Sequence, residues 1–216
     1  MVGLGMFGRS IARELTNLKF EVLGVDLDES RTQDAESELS QTIAVDATDE
    51  AELTKLGPER RDVSVCAIGE ESRDASIVCT ALLRSLGSPR VVARSFDPTH
   101  ERILRMVGAH DVVNPEREFG MRVANRLAMR GVLDSVPLGH GLEISEVHMP
   151  RAFVGKSLRE LKIRERFGVV VAAVRRTTDG EEALTLPDPG DHLEGRDVLV
   201  LVARQGEVTS MLESIG

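Results

Sequence analysis

Six residues near the start, Gly3-Leu4-Gly5-Met6-Phe7-Gly8, constrain this chain more than any other feature. Three glycines at this spacing let a strand turn tightly into a helix and let the backbone approach a pyrophosphate, with the first-turn amides of the helix facing the anion. An amphipathic helix follows, with Ile11, Leu15 and Leu18 on one face. The next apolar run, Val22-Leu23-Gly24-Val25, ends on Asp26, eighteen residues after the last glycine. A carboxylate at that strand end accepts hydrogen bonds from adenosine ribose hydroxyls and repels a 2′-phosphate, which disfavours NADP. Loop, helix and carboxylate together predict an adenine-nucleotide site built on Gly3, Gly5, Met6, Phe7, Gly8 and Asp26.

Apolar strands then recur with helical stretches between them, at Glu21–Asp26, Thr42–Asp46, Val63–Gly69, Arg90–Ser95 and Asp111–Asn114. Their ends fall about twenty to twenty-six residues apart, one strand-plus-helix unit each. The alternation predicts an α/β fold, a Rossmann-like parallel sheet with helices on both faces. Ligands of such sheets bind outside the carboxyl ends of the strands. The residues to examine there are Asp46-Ala47-Thr48, Ile68-Gly69-Glu70 and Arg94-Ser95-Phe96. Asp46 and Thr48 would border the adenine. Arg94 either neutralises phosphate charge or is a plain surface arginine at a strand end. Only Met1 and Val2 precede Gly3, too little for a central strand. The expectation is a truncated or partly ordered first strand, or further residues upstream.

Composition narrows the function classes. At 216 residues the chain holds one large domain or two small ones, and its net charge of −9 argues against a nucleic-acid partner. No apolar run reaches membrane-spanning length and no signal peptide is visible. The two cysteines, Cys66 and Cys79, lie in apolar segments and read as reduced core thiols, consistent with the cytoplasm. Cysteines and histidines offer no zinc-ligand spacing, and the absence of Trp and Tyr leaves little for stacking exposed bases.

After Pro115-Glu116, a helix is expected over Met121–Leu133, with Val123, Ala124, Leu127, Ala128, Met129, Val132 and Leu133 making a broad apolar face. It either packs on its own sheet or crosses to a second copy of the chain. Leu138-Gly139-His140-Gly141 reads as a hinge. Beyond it come strands at Leu142–His148, Val169–Arg175, Ala183–Leu186 and Val198–Ala203, a turn and short helix over Val154–Leu161, a turn at Pro187–Asp191, and a terminal helix at Val208–Ile215. This is a small α+β lobe of about seventy-five residues. The organisation is then residues 1–118 as the N-lobe, 119–139 as a crossover helix and hinge, and 140–216 as the C-lobe.

Taken in order, these residues resemble the RCK (regulator of potassium conductance) family, in particular the cytoplasmic Trk/Ktr-type potassium-uptake subunits with TrkA-N and TrkA-C lobes. In the N-lobe the resemblance rests on Gly3–Gly8, Asp26, Asp46-Ala47-Thr48, the Val65–Gly69 strand end and Gly108-Ala109-His110-Asp111-Val112-Val113-Asn114-Pro115-Glu116. In the C-lobe it rests on Gly155-Lys156-Ser157-Leu158, Phe167-Gly168 and Gly195-Arg196-Asp197-Val198-Leu199. It covers essentially the whole chain. It implies an N-lobe binding ATP, ADP or NAD, and homodimers assembled into a ring under a membrane-embedded potassium transporter or channel. Glu116 is implied as a ligand for a divalent cation such as Mg near the phosphates; read from the residues alone it is a solvated carboxylate at a helix start. A C-lobe ligand such as cyclic di-AMP is implied in some members, and Ile163, Arg164, Arg166, Val170 and Pro187 are the residues best placed for it here. Several ATP-responsive members carry a basic residue between the second and third glycines, where this chain has Met6 and Phe7. Arg9 is a candidate substitute, and ADP, NAD and AMP stay open.

Two functions follow. One is a non-catalytic, cytoplasmic, membrane-peripheral regulatory subunit that reads a nucleotide. The other is an NAD-dependent oxidoreductase, which needs an acid/base beside a substrate carbonyl. None of the five histidines, His100, His110, His140, His148 and His192, sits in a recognisable catalytic constellation, and Lys156-Ser157 lacks the upstream glycine of a phosphate loop.

Overall fold

The computed structural model describes every residue except 129–130, 179–180 and 216. The chain forms two compact units, Met1–Glu116 and Arg117–Gly216.

The first unit runs α1 (Met6–Asn17), β1 (Leu23–Asp26), α2 (Glu29–Ala35), β2 (Gln41–Ala44), α3 (Glu50–Lys55), β3 (Ser64–Cys66), α4 (Arg73–Ser85), β4 (Val91–Arg94), α5 (Pro98–Met106) and β5 (Asp111–Val113). All strand pairs are parallel. Val2 bridges Val25 on one side and Cys66 on the other, so the sheet order is β2-β1-Val2-β3-β4-β5. Val2 thus does the work of a first strand, donating to the Val65 carbonyl at 2.8 Å and accepting from the Ala67 amide at 2.7 Å. The expected strands are all present with shifted ends: β2 starts at Gln41, one residue earlier than expected, and all five end at or before the expected residue. Asp28, Asp49 and Asp97 cap α2, α3 and α5 by accepting amides of the first helical turn. Cys66 and Cys79 are fully buried with Val25, Leu53, Leu83, Val91 and Leu104 in one apolar cluster; Leu4, Ala12, Ala35 and Leu39 form another.

α6 (Pro115–Ala128) leads into the second unit. There follow β6 (Val132–Gly139), β7 (Leu142–His148), α7 (Leu158–Leu161), α8 (Ile163–Phe167), β8 (Val170–Thr178), β9 (Glu181–Thr185), β10 (Val198–Arg204) and α9 (Glu207–Ile215). The sheet is antiparallel, in the order β6-β7-β10-β8-β9. Its core gathers Phe153, Leu161, Ile163, Val169, Leu193, Leu199, Leu201 and Met211.

The sequence expectation fails at the entry to this unit. The helix expected to reach Leu133 ends at Ala128, and Val132 and Leu133 belong to β6; Met129 lies outside the described residues. Gly131, at φ +87°, stands where the helical pattern breaks, and β-branched Val132 is buried as the strand begins. The expected hinge is the tip of the β6–β7 hairpin: Gly139, His140 and Gly141 all have positive φ, and Gly139 pairs with Leu142. Among the described residues, 119–128 are helical, 132–139 form a strand, and 138–141 is a hairpin tip rather than a hinge. Ser157 caps α7 in a reciprocal capping box with Glu160, a structural role for this serine.

Candidate functional site

The carboxyl ends of the parallel strands open into a cavity of about 780 Å³, the size of a small-molecule site. Gly3, Gly5, Met6, Asp26, Asp46, Ala47, Thr48, Ile68, Gly69, Arg94 and Glu116 all line it. Phe7 and Gly8 stand behind this lining. Gly3 has φ +88°, and a Cβ on it would come within 2.8 Å of the Ala67 backbone; a Cβ on Gly8 would overlap the Gly3 carbonyl oxygen. Gly5 differs: it starts α1 in an extended conformation with no side-chain cap, and the space over it is open except for Arg31 Nη1 at 4.0 Å. The first and third glycines are thus demanded by packing. The second leaves the amides at the start of α1 bare toward the cavity, where an anion fits.

Asp26 is buried at the end of β1. Its Oδ2 accepts the Leu4 amide at 2.6 Å and its Oδ1 the Asp28 amide at 3.0 Å. These bonds fix the carboxylate beside the glycine loop with one lone pair on each oxygen still available to ribose hydroxyls. Asp46 Oδ1 accepts both the amide and the hydroxyl of Thr48, at 2.9 and 2.6 Å, which hold its carboxyl below the ordinary range. Arg94 reaches the wall from β4. Its guanidinium pairs with Glu116 and lies 5.1 Å from the ring centroids of both Phe7 and Phe96, and its Nε is buried without a partner. Phe7 is outside the lining and meets it through its ring contact with Arg94.

Arg9 lies outside the main cavity. Glu38 binds it at 3.0 and 2.8 Å, and this hydrogen bonding raises the Arg9 pKa and lowers that of Glu38. It is no substitute for a basic residue in the glycine loop. Glu116 offers a cation one exposed carboxylate that Arg94 already engages, and among the described residues no three His, Cys, Asp or Glu groups converge on a metal position. A cation at Glu116 would draw its other ligands from nucleotide phosphates or a second chain. Arg31, Glu71 and Leu27 also line the cavity and were missed by the sequence reading. The only signal for Arg31 was an arginine in the helical turn that follows Asp26.

The C-lobe candidates separate. Ile163 is buried in the core and cannot wall a ligand site. Arg164 is exposed, Val170 partly so, and Pro187 half-buried. Arg166 is exposed, donates to the Leu161 carbonyl at 3.3 Å and lies 4.8 Å over the Phe167 ring.

A parallel sheet ending in a glycine loop, an uncapped helix start and a buried acid defines a Rossmann-type nucleotide-binding module, here followed by a small antiparallel lobe. Residues 1–115 match the TrkA-N domain and residues 142–216 the TrkA-C domain, so the chain belongs to the RCK family of TrkA-type proteins. It is 32% identical to Ktr system potassium uptake protein A of Vibrio alginolyticus, over all of this chain and 96% of that one. It is 31% identical to Ktr system potassium uptake protein C of Bacillus subtilis, over 98% of this chain and 92% of that one. The RCK domain of GsuK shares the fold, with a TM-score of 0.68 and 23% identity over 100% of this chain and 46% of the other.

Proposed function

We propose that this chain is a non-catalytic regulatory subunit that binds an adenine nucleotide and, by doing so, controls a membrane potassium transporter or channel from the cytoplasmic side. One observation carries the reading: Gly5 at the uncapped start of α1 and the fixed carboxylate of Asp26 line the same cavity, the pair of features that phosphate and ribose use in this fold. The likeness to Ktr potassium uptake proteins over nearly the whole chain supports the transport role. GsuK, whose fold is similar, has been solved bound to NAD and to ADP. No helix among the described residues is long and apolar enough to cross a membrane. The working form is a homodimer joined through α6, assembled further into a ring. In the C-lobe, the exposed Arg164 and Arg166, with Val170, are the candidates for a cyclic dinucleotide such as cyclic di-AMP. Calorimetric titration with ADP, ATP and NAD tests the nucleotide reading; submicromolar to micromolar binding is expected, without turnover of NAD(H). Failure of all three to bind refutes it, and steady nicotinamide turnover with a small carbonyl substrate favours an oxidoreductase.

A further inference from the structure

The sheet order sets out the cavity from one side to the other. β1, ending on the ribose acid Asp26, flanks the Val2 strand and its glycine loop on one side, and β3 flanks them on the other. A Cβ on Gly3 would come within 2.8 Å of the Ala67 and Ile68 backbone, so the segment leaving β3 runs directly beside the glycine loop. With adenosine at Asp26 and phosphates at the start of α1, whatever the ligand carries beyond its phosphates falls on the β3 side. Glu71 stands there, on the cavity wall. Its carboxylate lies over Gly69, in the space that a Cβ on this glycine would take. The other carboxylates lining the cavity are engaged. Asp26 and Asp28 accept backbone amides, Asp46 holds Thr48, Glu70 pairs with Arg73 at 3.0 Å, and Glu116 pairs with Arg94. Glu71 has no hydrogen-bond or ion-pair partner among the described residues.

We propose that Glu71 is a specificity-determining residue of this cavity: its unpaired carboxylate accepts the hydroxyls of a second sugar carried beyond the pyrophosphate and repels a terminal phosphate placed there. The ligand class is an adenosine diphosphate whose outer phosphate is esterified to a second ribose, favoured over ADP and ATP. An ionised carboxylate can only accept hydrogen bonds. Sugar hydroxyls donate, and such bonds to a charged acceptor are the strong ones. A terminal phosphate brings like charge to the same place instead. The glycine loop offers no side-chain cation to offset it, since its variable positions are Leu4, Met6 and Phe7. Arg94, which lines the cavity from β4, is already shared with Glu116. Selectivity is then a difference of affinities set by one free acid. The role of Glu71 rests on the nucleotide reading of the cavity.

The test is calorimetric titration of the full chain with ADP, ATP, ADP-ribose and NAD in chelator-treated buffer. ADP-ribose differs from ADP by the second sugar alone. It is expected to bind roughly threefold or more tightly than ADP, with NAD following it and ATP binding more weakly than ADP. Glu71→Gln keeps the size of the side chain and removes its charge. It should lower the ADP-ribose-to-ADP affinity ratio by roughly threefold or more and raise the ATP-to-ADP ratio about two- to threefold. A residue with a merely structural role would shift all four affinities together and leave both ratios in place. Equal affinity of the wild type for ADP and ADP-ribose overturns the proposal, as do unchanged ratios in Glu71→Gln. If ADP binds and the second sugar adds nothing, only the role of Glu71 falls. If none of the four ligands binds, the nucleotide reading of the whole cavity falls with it.

Discussion

The amide of Leu4 donates to Oδ2 of Asp26 at 2.6 Å, tying the glycine loop to the end of β1 across 22 residues of sequence. The same carboxylate takes the Asp28 amide at the start of α2. Asp26 therefore shapes the loop as well as offering acceptors to a ribose. Asp26→Ala should weaken ADP and NAD binding at least tenfold, since hydrogen bonds to a charged group are each worth roughly 1.5–3 kcal/mol. It should also lower stability by about 1–3 kcal/mol by leaving the two amides unpaired. Asp26→Asn keeps acceptor oxygen and should cost less stability. Calorimetry and urea unfolding measure the two effects; wild-type ADP affinity in Asp26→Ala would remove Asp26 from the site.

Arg94 and Glu116 pair across the cavity wall, and a bound polyphosphate has to compete with Glu116 for the guanidinium. Glu116→Gln should tighten ADP binding about two- to fivefold in chelator-treated buffer, matching the roughly 0–1 kcal/mol of an exposed pair. Arg94→Met should weaken it roughly tenfold or more. Weaker binding to Glu116→Gln under those conditions would show that the carboxylate serves the ligand rather than competing with it.

The glycine loop, its helix and Asp26 were legible because their chemistry is set by local spacing. The strand ends were legible for the same reason, since Asp46-Ala47-Thr48 and Ile68-Gly69 close apolar runs. What escaped depends on contacts distant in sequence. Nothing local marks Phe7 as the support of Arg94, or Glu38 as the partner that removes Arg9 from contention. The Met121–Leu133 pattern read as one helix because its apolar residues suit either period, and Gly131 alone carried the break. The resemblance places Ile163 with the C-lobe candidates, and α8, only Ile163–Phe167, is too short for its pattern to show that this side chain faces the core.

His100 stacks on Phe96 with ring centroids 5.2 Å apart, and neither of its buried nitrogens has a hydrogen-bond partner. Burial pushes its pKa below 6.5 and the Arg73 charge adds to this, against the opposing pull of Asp97 and Glu70. With the folded pKa below the unfolded one, the unfolded state binds more protons and stability rises with pH. The contribution is complete above the ordinary histidine pKa and is lost as pH falls through the depressed one. Urea unfolding between about pH 5 and 7.5 should show this acid-side loss, and His100→Phe should flatten it. An unchanged slope in that variant would place the titration elsewhere.

In the second unit Asp197 is almost fully buried at the entry to β10. Burial pushes its carboxyl up, and Arg176, at 2.9 and 2.8 Å, with the Glu194 amide, brings it below the ordinary range. Arg176→Met leaves that charge without its cation and should destabilise the chain by about 3–5 kcal/mol. Arg176→Lys, which keeps the charge, should cost clearly less. Equal unfolding midpoints for Arg176→Met and wild type would show that the Glu194 amide alone satisfies Asp197.

Phe119, Val123 and Leu127 follow one another at four-residue spacing along α6, and the outer two are 65% and 80% exposed. Met121 is 55% exposed, and the helix buries none of its residues in the single chain. A second copy presenting the same stripe is a self-complementary cover for it. Light scattering at tens of micromolar, about the concentration at which ordinary dimer contacts are filled, should report a dimer or a larger assembly. Two charges in the stripe, Phe119→Glu with Leu127→Glu, should dissociate it without moving the unfolding midpoint of the Met1–Glu116 unit. A monodisperse wild-type monomer would count against α6 as the joint. So would a double variant of unchanged size, since two buried carboxylates cannot be accommodated at a tight apolar interface.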